Sequence, residues 1–317
     1  MSKDIVLLIN RSEITAGTRG ASLGPDAIFT AARKNQKSLF GNIPIEEIKD
    51  VNYLLDSPTE YKFAKRIDGL LDVYRELNDK VSTLLLNNKF PLVLAADHGS
   101  AGGTIAGIKS AYPTKRIGIV WIDAHADIHT PYTTPSGNIH GMPLATVLNE
   151  DNLPCKLNDL SEETIQYWEK LKHLGGIAPK ANAEDIVYIA VRDTEDQENK
   201  IMDRLQIKNY PVAELRTKGV LGIISEIETK LSDCDIIYVS FDVDSMDPDM
   251  TSHGTGTPVK NGLSPDEANE ILTLFAKNKK TVCIEFVEVN PCLDEKVNKM
   301  AEVTMNLVES VINTLND

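Results

Sequence analysis

Short runs of apolar, often β-branched residues alternate along the chain with longer segments of helical periodicity. Two of the runs, IGIVWI and IIYVSF, have almost no polar positions, which is typical of strands buried on both faces of a parallel sheet. The pattern predicts six strands, over residues 4–9, 91–95, 116–122, 185–191, 235–241 and 281–287.

Helical periodicity between these runs predicts eight helices, over residues 25–34, 60–87, 100–110, 142–149, 162–174, 218–231, 265–277 and 294–315. Ser264 and Pro265 mark one start clearly, because serine caps a helix and proline fits its first turn. Strand–helix–strand alternation over the whole length predicts a doubly wound α/β fold. The sequence contains no low-complexity linker and no internal repeat. A single domain over residues 1–317 is therefore favoured over a two-domain division.

Composition and charge narrow the possible partners. The chain is 42% hydrophobic and 25% charged, as in ordinary globular proteins, and its formal net charge is −14. Such a surface repels phosphate backbones and anionic lipids, so we expect no nucleic-acid or membrane partner. The N-terminus lacks a signal-peptide pattern, and no run of 18 apolar residues predicts a membrane span. Four cysteines without a CxxC pair are typical of reduced thiols in a cytoplasmic protein.

The most specific cluster of polar residues follows the IGIVWI strand. Asp123, His125 and Asp127 stand at positions i, i+2 and i+4, so an extended backbone places all three side chains on one face. Two carboxylates and an imidazole crowded together without a cation would bring like charges close to each other, which is unfavourable. The spacing therefore predicts a metal site.

Two further strand ends carry the same kinds of side chain. Asp242 and Asp244 follow IIYVSF, and His98 follows the strand predicted at 91–95. Taken singly, each has a simpler interpretation, since a lone histidine often makes a structural hydrogen bond and a lone Asp-x-Asp often caps a helix. The carboxyl ends of parallel strands meet at one edge of the sheet, so we expect these residues to join the first cluster.

The ligand types limit the metal. Carboxylates and imidazoles without a thiolate favour hard or borderline ions such as Mn²⁺ over a structural Zn²⁺ site. Six ligands are too many for one catalytic ion that keeps a position open for water. Two ions that share a water are favoured, because such a pair lowers the pKa of that water and creates a nucleophile. The sequence thus predicts a metal-dependent hydrolase.

The same residues carry a resemblance to a known family. The chain resembles the ureohydrolases and, within them, the arginases. The similarity spans nearly the whole length, through RG and GP near the start, then DH at 97–98, WIDAHADIHTP, TTPSGNIHGMPLA, SFDVDSMDP, GTGTP and EVNP at 288–291.

This resemblance implies a single three-layer α/β/α domain with a mostly parallel sheet, and a binuclear Mn²⁺ centre that splits a guanidinium group to release urea. It also implies a trimer or a hexamer. The implied ligands of one ion are His98, Asp123, Asp127 and Asp242. Those of the other ion are Asp123, His125, Asp242 and Asp244, so that Asp123 and Asp242 bridge.

The resemblance also implies roles in the reaction. Asp127 would orient the attacking water, and Glu288 would pair with the planar guanidinium fork. His140 would pass a proton to the leaving amine, a role that suits the near-neutral pKa of histidine. Thr257, in GTGTP, is a further predicted substrate contact.

Substrate identity is expected to depend on two loops. Ser136 and Asn138 match the residues that hold the α-carboxylate in arginases, which favours L-arginine, converted to L-ornithine and urea. His129 and Glu195 depart from the family, which usually has asparagine and aspartate at these two substrate-binding positions. Another guanidino compound (agmatine or guanidinobutyrate) or formiminoglutamate is the alternative substrate. A non-catalytic binding subunit is the remaining alternative, although all six ligands are present. No role is assigned to His253 or to segment 152–180.

Overall fold

Eight parallel strands form one sheet in the computed structural model, which describes residues 2–35 and 37–317. The sheet order is β2-β1-β3-β8-β7-β4-β5-β6. In chain order the strands are β1 (Asp4–Asn10), β2 (Ile45–Glu47), β3 (Lys89–Ala95), β4 (Ile117–Ile122), β5 (Ile186–Ile189), β6 (Lys208–Tyr210), β7 (Ile236–Asp242) and β8 (Thr281–Val287).

Ten α-helices accompany the sheet in the described part of the chain. They are α1 (Gly24–Lys34), α2 (Ile67–Leu86), α3 (Ala101–Ala111), α4 (Pro143–Leu148), α5 (Glu162–Lys172), α6 (Asp196–Leu205), α7 (Val212–Lys218), α8 (Val220–Lys230), α9 (Pro265–Lys277) and α10 (Lys299–Asn316). None of the helices in residues 2–35 and 37–317 combines the length and the apolar character that a membrane crossing requires.

Successive strand residues are buried on opposite faces of the sheet. In β4, Val120 and Ile122 join the core beneath α1 and α8–α10, whereas Ile119 and Trp121 join the core beneath α2–α5. Because both faces are covered, every residue of β4 is buried, which explains its unbroken apolar run. The predicted three-layer α/β fold is confirmed.

The sequence pattern missed the two outermost strands and two helices. β2 (IEE) and β6 (KNY) are three residues long and mostly polar, so they lack the apolar run that marks a strand. The α6 and α7 helices were not predicted either. Gly219, with a φ of +77°, separates α7 from α8, so the helix predicted from residue 218 begins instead at Val220.

Two predicted helix starts were too early. The helix predicted from residue 60 begins at Ile67, after Arg66 in the left-handed region at φ 60°. The helix predicted from residue 294 begins at Lys299, after Val297 and Asn298 at φ 56° and 70°. Left-handed backbone ends a right-handed helix, and composition alone does not reveal it. The other predicted elements agree with the structure to within about two residues at each end, the usual uncertainty of boundaries.

Segment 152–180 is partly helical. It contains α5, whose Trp168 is fully buried and donates from Nε1 to Asp151 Oδ1 at 2.8 Å. The α5 helix therefore packs on the core of the α2–α5 face, whereas residues 153–163 are exposed or half-buried.

Candidate metal centre and active site

The predicted ligands meet at the carboxyl ends of three adjacent or near-adjacent strands. Asp123 follows β4 directly, Asp242 is the last residue of β7, and His98 begins a single 3-10 turn after β3. His98 Nδ1 lies 3.0 Å from Asp123 Oδ2, 3.0 Å from Asp127 Oδ2 and 3.3 Å from Asp242 Oδ2. One imidazole nitrogen therefore faces three carboxylate oxygens from different parts of the chain.

The remaining ligands form a second cluster beside the first. His125 Nδ1 lies 3.1 Å from Asp244 Oδ2 and 3.5 Å from Asp123 Oδ1. Asp123 thus turns one oxygen toward each cluster, as a bridging carboxylate must. Ligand atoms of His98, Asp123 and Asp127, and those of Asp123, His125 and Asp244, are close enough together to hold one ion in each group.

Short hydrogen bonds fix the carboxylates in place. Trp121 Nε1 donates to Asp123 Oδ2 at 3.0 Å, and the Asp244 backbone N–H donates to Asp242 Oδ1 at 2.8 Å. Thr257 Oγ1 donates to Asp244 Oδ2 at 3.0 Å, so this predicted substrate contact also holds a ligand. Asp127 has a φ of 48°, the kind of strained backbone that clusters at functional sites.

The crowded, buried carboxylates of the cluster would be stabilised by a bound cation. Burial and repulsion from Asp123 raise the pKa of Asp127 to about 7. Burial and repulsion from Asp244 raise the pKa of Asp242 well above its ordinary value. His98 Nδ1 is buried and has no hydrogen-bond partner of acceptable geometry, although three oxygens surround it. An orphaned imidazole nitrogen facing crowded carboxylates fits a divalent ion with oxygen and nitrogen ligands.

His140 and Glu288 form a pair beside the metal ligands. His140 Nδ1 lies 3.4 Å from Glu288 Oε1, which also accepts from the His98 backbone N–H at 3.0 Å. Burial lowers the pKa of His140, but the contact with Glu288 outweighs this and raises the pKa to about 9. Burial raises the pKa of Glu288, and the bond from His140 lowers it overall. The pair is therefore an imidazolium beside a carboxylate.

A cavity of about 270 Å³ opens above this centre. The predicted residues His129, Ser136, Asn138, Glu195 and Thr257 all line it, as do Asp127 and His140. Glu288 is only 3% exposed and is not part of the lining. The lining also contains acidic residues that the sequence analysis did not assign to the site, Asp193 and Glu198.

The two residues that depart from the family contact each other. His129 Nε2 lies 2.7 Å from Glu195 Oε2, while His129 Nδ1 is 3.0 Å from Thr133 Oγ1. Glu195 is the N-cap of α6, in a reciprocal capping box with Glu198. A capping box usually begins with serine or threonine, so the Glu-x-x-Glu sequence was a weak signal for the start of this helix.

His253 lies outside the cavity. Its backbone N–H donates to Glu295 Oε2 at 2.8 Å, and its Nδ1 is 3.1 Å from Glu295 Oε1. The residue therefore pins the loop that leads to Thr257 and takes no part in the pocket lining.

Comparisons with known proteins show which family the chain is similar to. The sequence model of the Arginase family matches residues 3–313. The arginase of Bacillus subtilis is 34% identical over 312 residues, 98% of each chain. A 1.7 Å crystal structure of a Bacillus subtilis arginase has a TM-score of 0.80 at 33% identity, over 97% of this chain and 98% of that one. The arginase of Entamoeba histolytica in complex with L-ornithine has a TM-score of 0.80 at 26% identity, over 98% and 99%.

The fold and the carboxylate–histidine centre define a metal-dependent hydrolase of the ureohydrolase kind. The chain belongs to the Arginase family. The resemblance found in the sequence motifs, and the enzyme class expected from them, are confirmed.

Proposed function

We propose that the enzyme hydrolyses the guanidinium group of L-arginine to L-ornithine and urea at two Mn²⁺ ions. One observation carries the proposal: the ligand cluster shares one cavity with the hydrogen-bond donors Ser136 and Asn138 and with the carboxylates Glu195 and Glu198, and we call these four residues the rim. A substrate with a cationic head, an α-carboxylate and an α-ammonium group matches all three parts. The arginase of Entamoeba histolytica forms a complex with L-ornithine.

His98, Asp123, Asp127 and Asp242 would hold one ion, and Asp123, His125, Asp242 and Asp244 the other. Two bound divalent ions would lower the pKa of a shared water and so provide a nucleophile at neutral pH. Four aspartates nearly balance the charge of two such ions, which supports this count.

The protein's own groups orient the reactants and move protons. Asp127 lines the cavity and can accept a hydrogen bond from the attacking water. Glu288 Oε1 accepts from the His98 backbone N–H and lies 3.4 Å from His140 Nδ1, and Oε2 would pair with a guanidinium N–H of the substrate. His140, held as an imidazolium by Glu288, can donate a proton to the leaving amine.

The rim supports recognition of an α-amino acid. Ser136 and Asn138 line the cavity and can donate hydrogen bonds to a carboxylate. Lys65, which the sequence analysis did not single out, donates from Nζ to Asn138 Oδ1 at 3.1 Å. A cation beside these donors favours an anionic group in the substrate. Glu195 and Glu198 also line the cavity, and their carboxylates favour an ammonium group in the substrate.

The cell compartment and assembly belong to the same proposal. The enzyme acts in the cytoplasm, as a homo-oligomer with three or six subunits, and without a nucleic-acid or membrane partner. The net charge of −14 supports the absence of such partners, and the four free cysteines, Cys155, Cys234, Cys283 and Cys292, support the compartment. The assembly rests on the resemblance to the family alone. Light scattering of the purified protein tests the assembly.

A panel of substrates tests the activity. Enzyme loaded with Mn²⁺ is assayed on L-arginine, agmatine, guanidinobutyrate and formiminoglutamate, and the bound metal is counted by elemental analysis. We expect two ions per chain and a kcat/KM for L-arginine about 100-fold above that for agmatine, because agmatine leaves the donors of the rim unpaired. A preference for any compound that lacks the α-carboxylate would overturn the assignment.

A second candidate, another guanidino substrate, is favoured by the pair of His129 and Glu195. The His129 Nε2 atom lies 2.7 Å from a Glu195 oxygen, so an imidazole stands where an α-ammonium group would otherwise approach that oxygen. A His129→Asn variant distinguishes the two cases. If L-arginine is the substrate, its kcat/KM stays within about threefold of wild type, whereas selection by His129 for another compound makes the preference change.

A further inference from the structure

A wholly buried carboxyl group lies beneath the metal centre and has no place in the proposed reaction. Glu285, in the middle of β8, is 0% exposed. In the sheet register it stands opposite Ser240 of β7, which in turn stands opposite Trp121 of β4. The three side chains form one row across adjacent strands. This row lies on the same side of the sheet as the turn that carries His98.

Hydroxyl groups satisfy the carboxyl of Glu285. Tyr238 donates from its phenol to Oε2 at 2.7 Å, and Ser100 Oγ is 3.3 Å from Oε1. The single Ser100 hydroxyl hydrogen is shared with the Asp97 backbone carbonyl, whose oxygen lies 2.9 Å from Oγ. Burying a carboxyl group among neutral donors is costly, and burial raises the pKa of Glu285. An ion pair within the core therefore does not explain why the Glu285 carboxyl group is buried.

The contacts of Glu285 lead to one metal ligand. Ser100 is the last residue of the 3-10 turn that begins with His98, so the carboxyl group ties that turn to β7 and β8. Ser240, the neighbour of Glu285 in the register, has its Oγ 2.7 Å from His98 Nε2. Trp121, the third member of the row, stacks on the His98 ring with centroids 4.0 Å apart and an interplanar angle of 5°. Each member of the row thus restrains the imidazole or its backbone.

We propose that Glu285 is a positioning residue for the metal centre, which holds the His98 turn so that Nδ1 points at Asp123 and Asp127. Some residues orient a metal-binding histidine without contacting the ion themselves. Replacing such a residue typically lowers metal affinity about 10- to 100-fold. Glu285 acts through Ser100 and Tyr238, and it touches neither substrate nor ion. The proposal rests on the metal centre of the proposed function and is independent of which guanidino compound is the substrate.

Calorimetric titration of the metal-free enzyme with Mn²⁺ tests the proposal. Wild type is measured first, because binding of fewer than two ions would overturn the proposed function itself. In Glu285→Met, which removes both acceptors at similar volume, we expect the ion beside His98 to bind about 10- to 100-fold more weakly. The ion beside His125 should stay within about threefold, and excess Mn²⁺ should restore kcat. Glu285→Gln keeps one acceptor and should recover part of the affinity.

Asp185→Leu is the matched control, because it removes another buried carboxyl group at the opposite end of the sheet. It should lower the unfolding temperature and leave both Mn²⁺ affinities unchanged. If Glu285→Met behaves in the same way, Glu285 is only a core polar group and the proposal is overturned. If Glu285→Met does not fold, Tyr238→Phe and Ser100→Ala each remove one donor. Each should weaken Mn²⁺ binding about 3- to 10-fold, and unchanged affinity in both would equally overturn the proposal.

Discussion

The two ends of the sheet both bury carboxylates but treat them in opposite ways. At the amino end, Asp185 accepts two hydrogen bonds from the Arg116 guanidinium at 2.7 and 2.8 Å. At the carboxyl end, Asp123, Asp127 and Asp242 crowd around one imidazole. The amino end supplies its own countercharge, whereas the carboxyl end leaves its acids to be neutralised by bound ions. Buried charge therefore serves stability at one end and ligand binding at the other.

The largest effect is expected when the charge of one carboxylate at the carboxyl end of the sheet is removed. Asp242→Asn should lower kcat/KM for the guanidino substrate at least ~10³-fold, because a proposed ligand of the metal centre is lost. The metal-free variant should unfold at the same temperature as wild type or higher, since burial and repulsion from Asp244 raise the pKa of Asp242. Urea release and calorimetry without metal measure the two effects. Asp249→Asn, at an exposed neighbour, is the control. A clearly destabilised metal-free Asp242→Asn would refute the account of crowded charges.

Lys180, in the segment that leads into β5, is buried, but its partner is not an opposite charge. Its Nζ donates to the Lys172 backbone carbonyl at 2.6 Å, and burial lowers its pKa from 10.5 to about 8. Between these values the unfolded chain binds the proton that the folded chain lacks, so the stability that depends on Lys180 rises with pH. Relative to Lys180→Met, wild type should gain up to about 3 kcal/mol of unfolding free energy between pH 8 and 10.5. Denaturant titrations at several pH values measure the gain, and a constant difference would contradict it.

At the amino end, loss of the paired acid should affect stability alone. Asp185→Leu removes two charge-assisted hydrogen bonds from Arg116 and should cost about 2 kcal/mol of unfolding free energy. Activity per bound metal ion should stay at the wild-type level, because the site lies at the other end of the strands. Thermal unfolding and steady-state kinetics on the same preparation check both statements. Reduced kcat at full metal occupancy would show that the two ends are coupled.

Features of the fold and of the site could be predicted where the residues that form them are close together in the sequence. The period of two in a strand brought Asp123, His125 and Asp127 onto one face, and strand ends brought in the other predicted ligands, so the clustering of these side chains could be predicted. Glu285 looked like any acid in a strand, because its neighbour Ser100 is 185 residues away. Lys65 and Asn138 are 73 residues apart, so their contact had no local signal either. The short polar strand β6 and the helix α6 lacked the apolar pattern on which the prediction depended.

The smallest effect is expected at the rim of the cavity, where the cation Lys65 lies near the carboxylate-rich site. Lys65 donates to Asn138 Oδ1, and its backbone N–H donates to the Gly137 carbonyl at 2.8 Å. Lys65→Met should lower kcat/KM for L-arginine about 10-fold, about 1.4 kcal/mol, and leave agmatine unaffected, because only arginine carries the carboxylate.

Lys62→Met is the matched control for Lys65→Met, since it removes a nearby exposed lysine that packs against Phe63. It should change neither substrate, whereas a general effect of net charge on the association rate would slow both variants alike and would fade at high salt. An equal loss on arginine and agmatine in Lys65→Met would mean that Lys65 only braces the 136–138 loop. A loss confined to arginine separates carboxylate recognition from bracing and places the choice of substrate at the rim, apart from the metal ligands that determine the reaction.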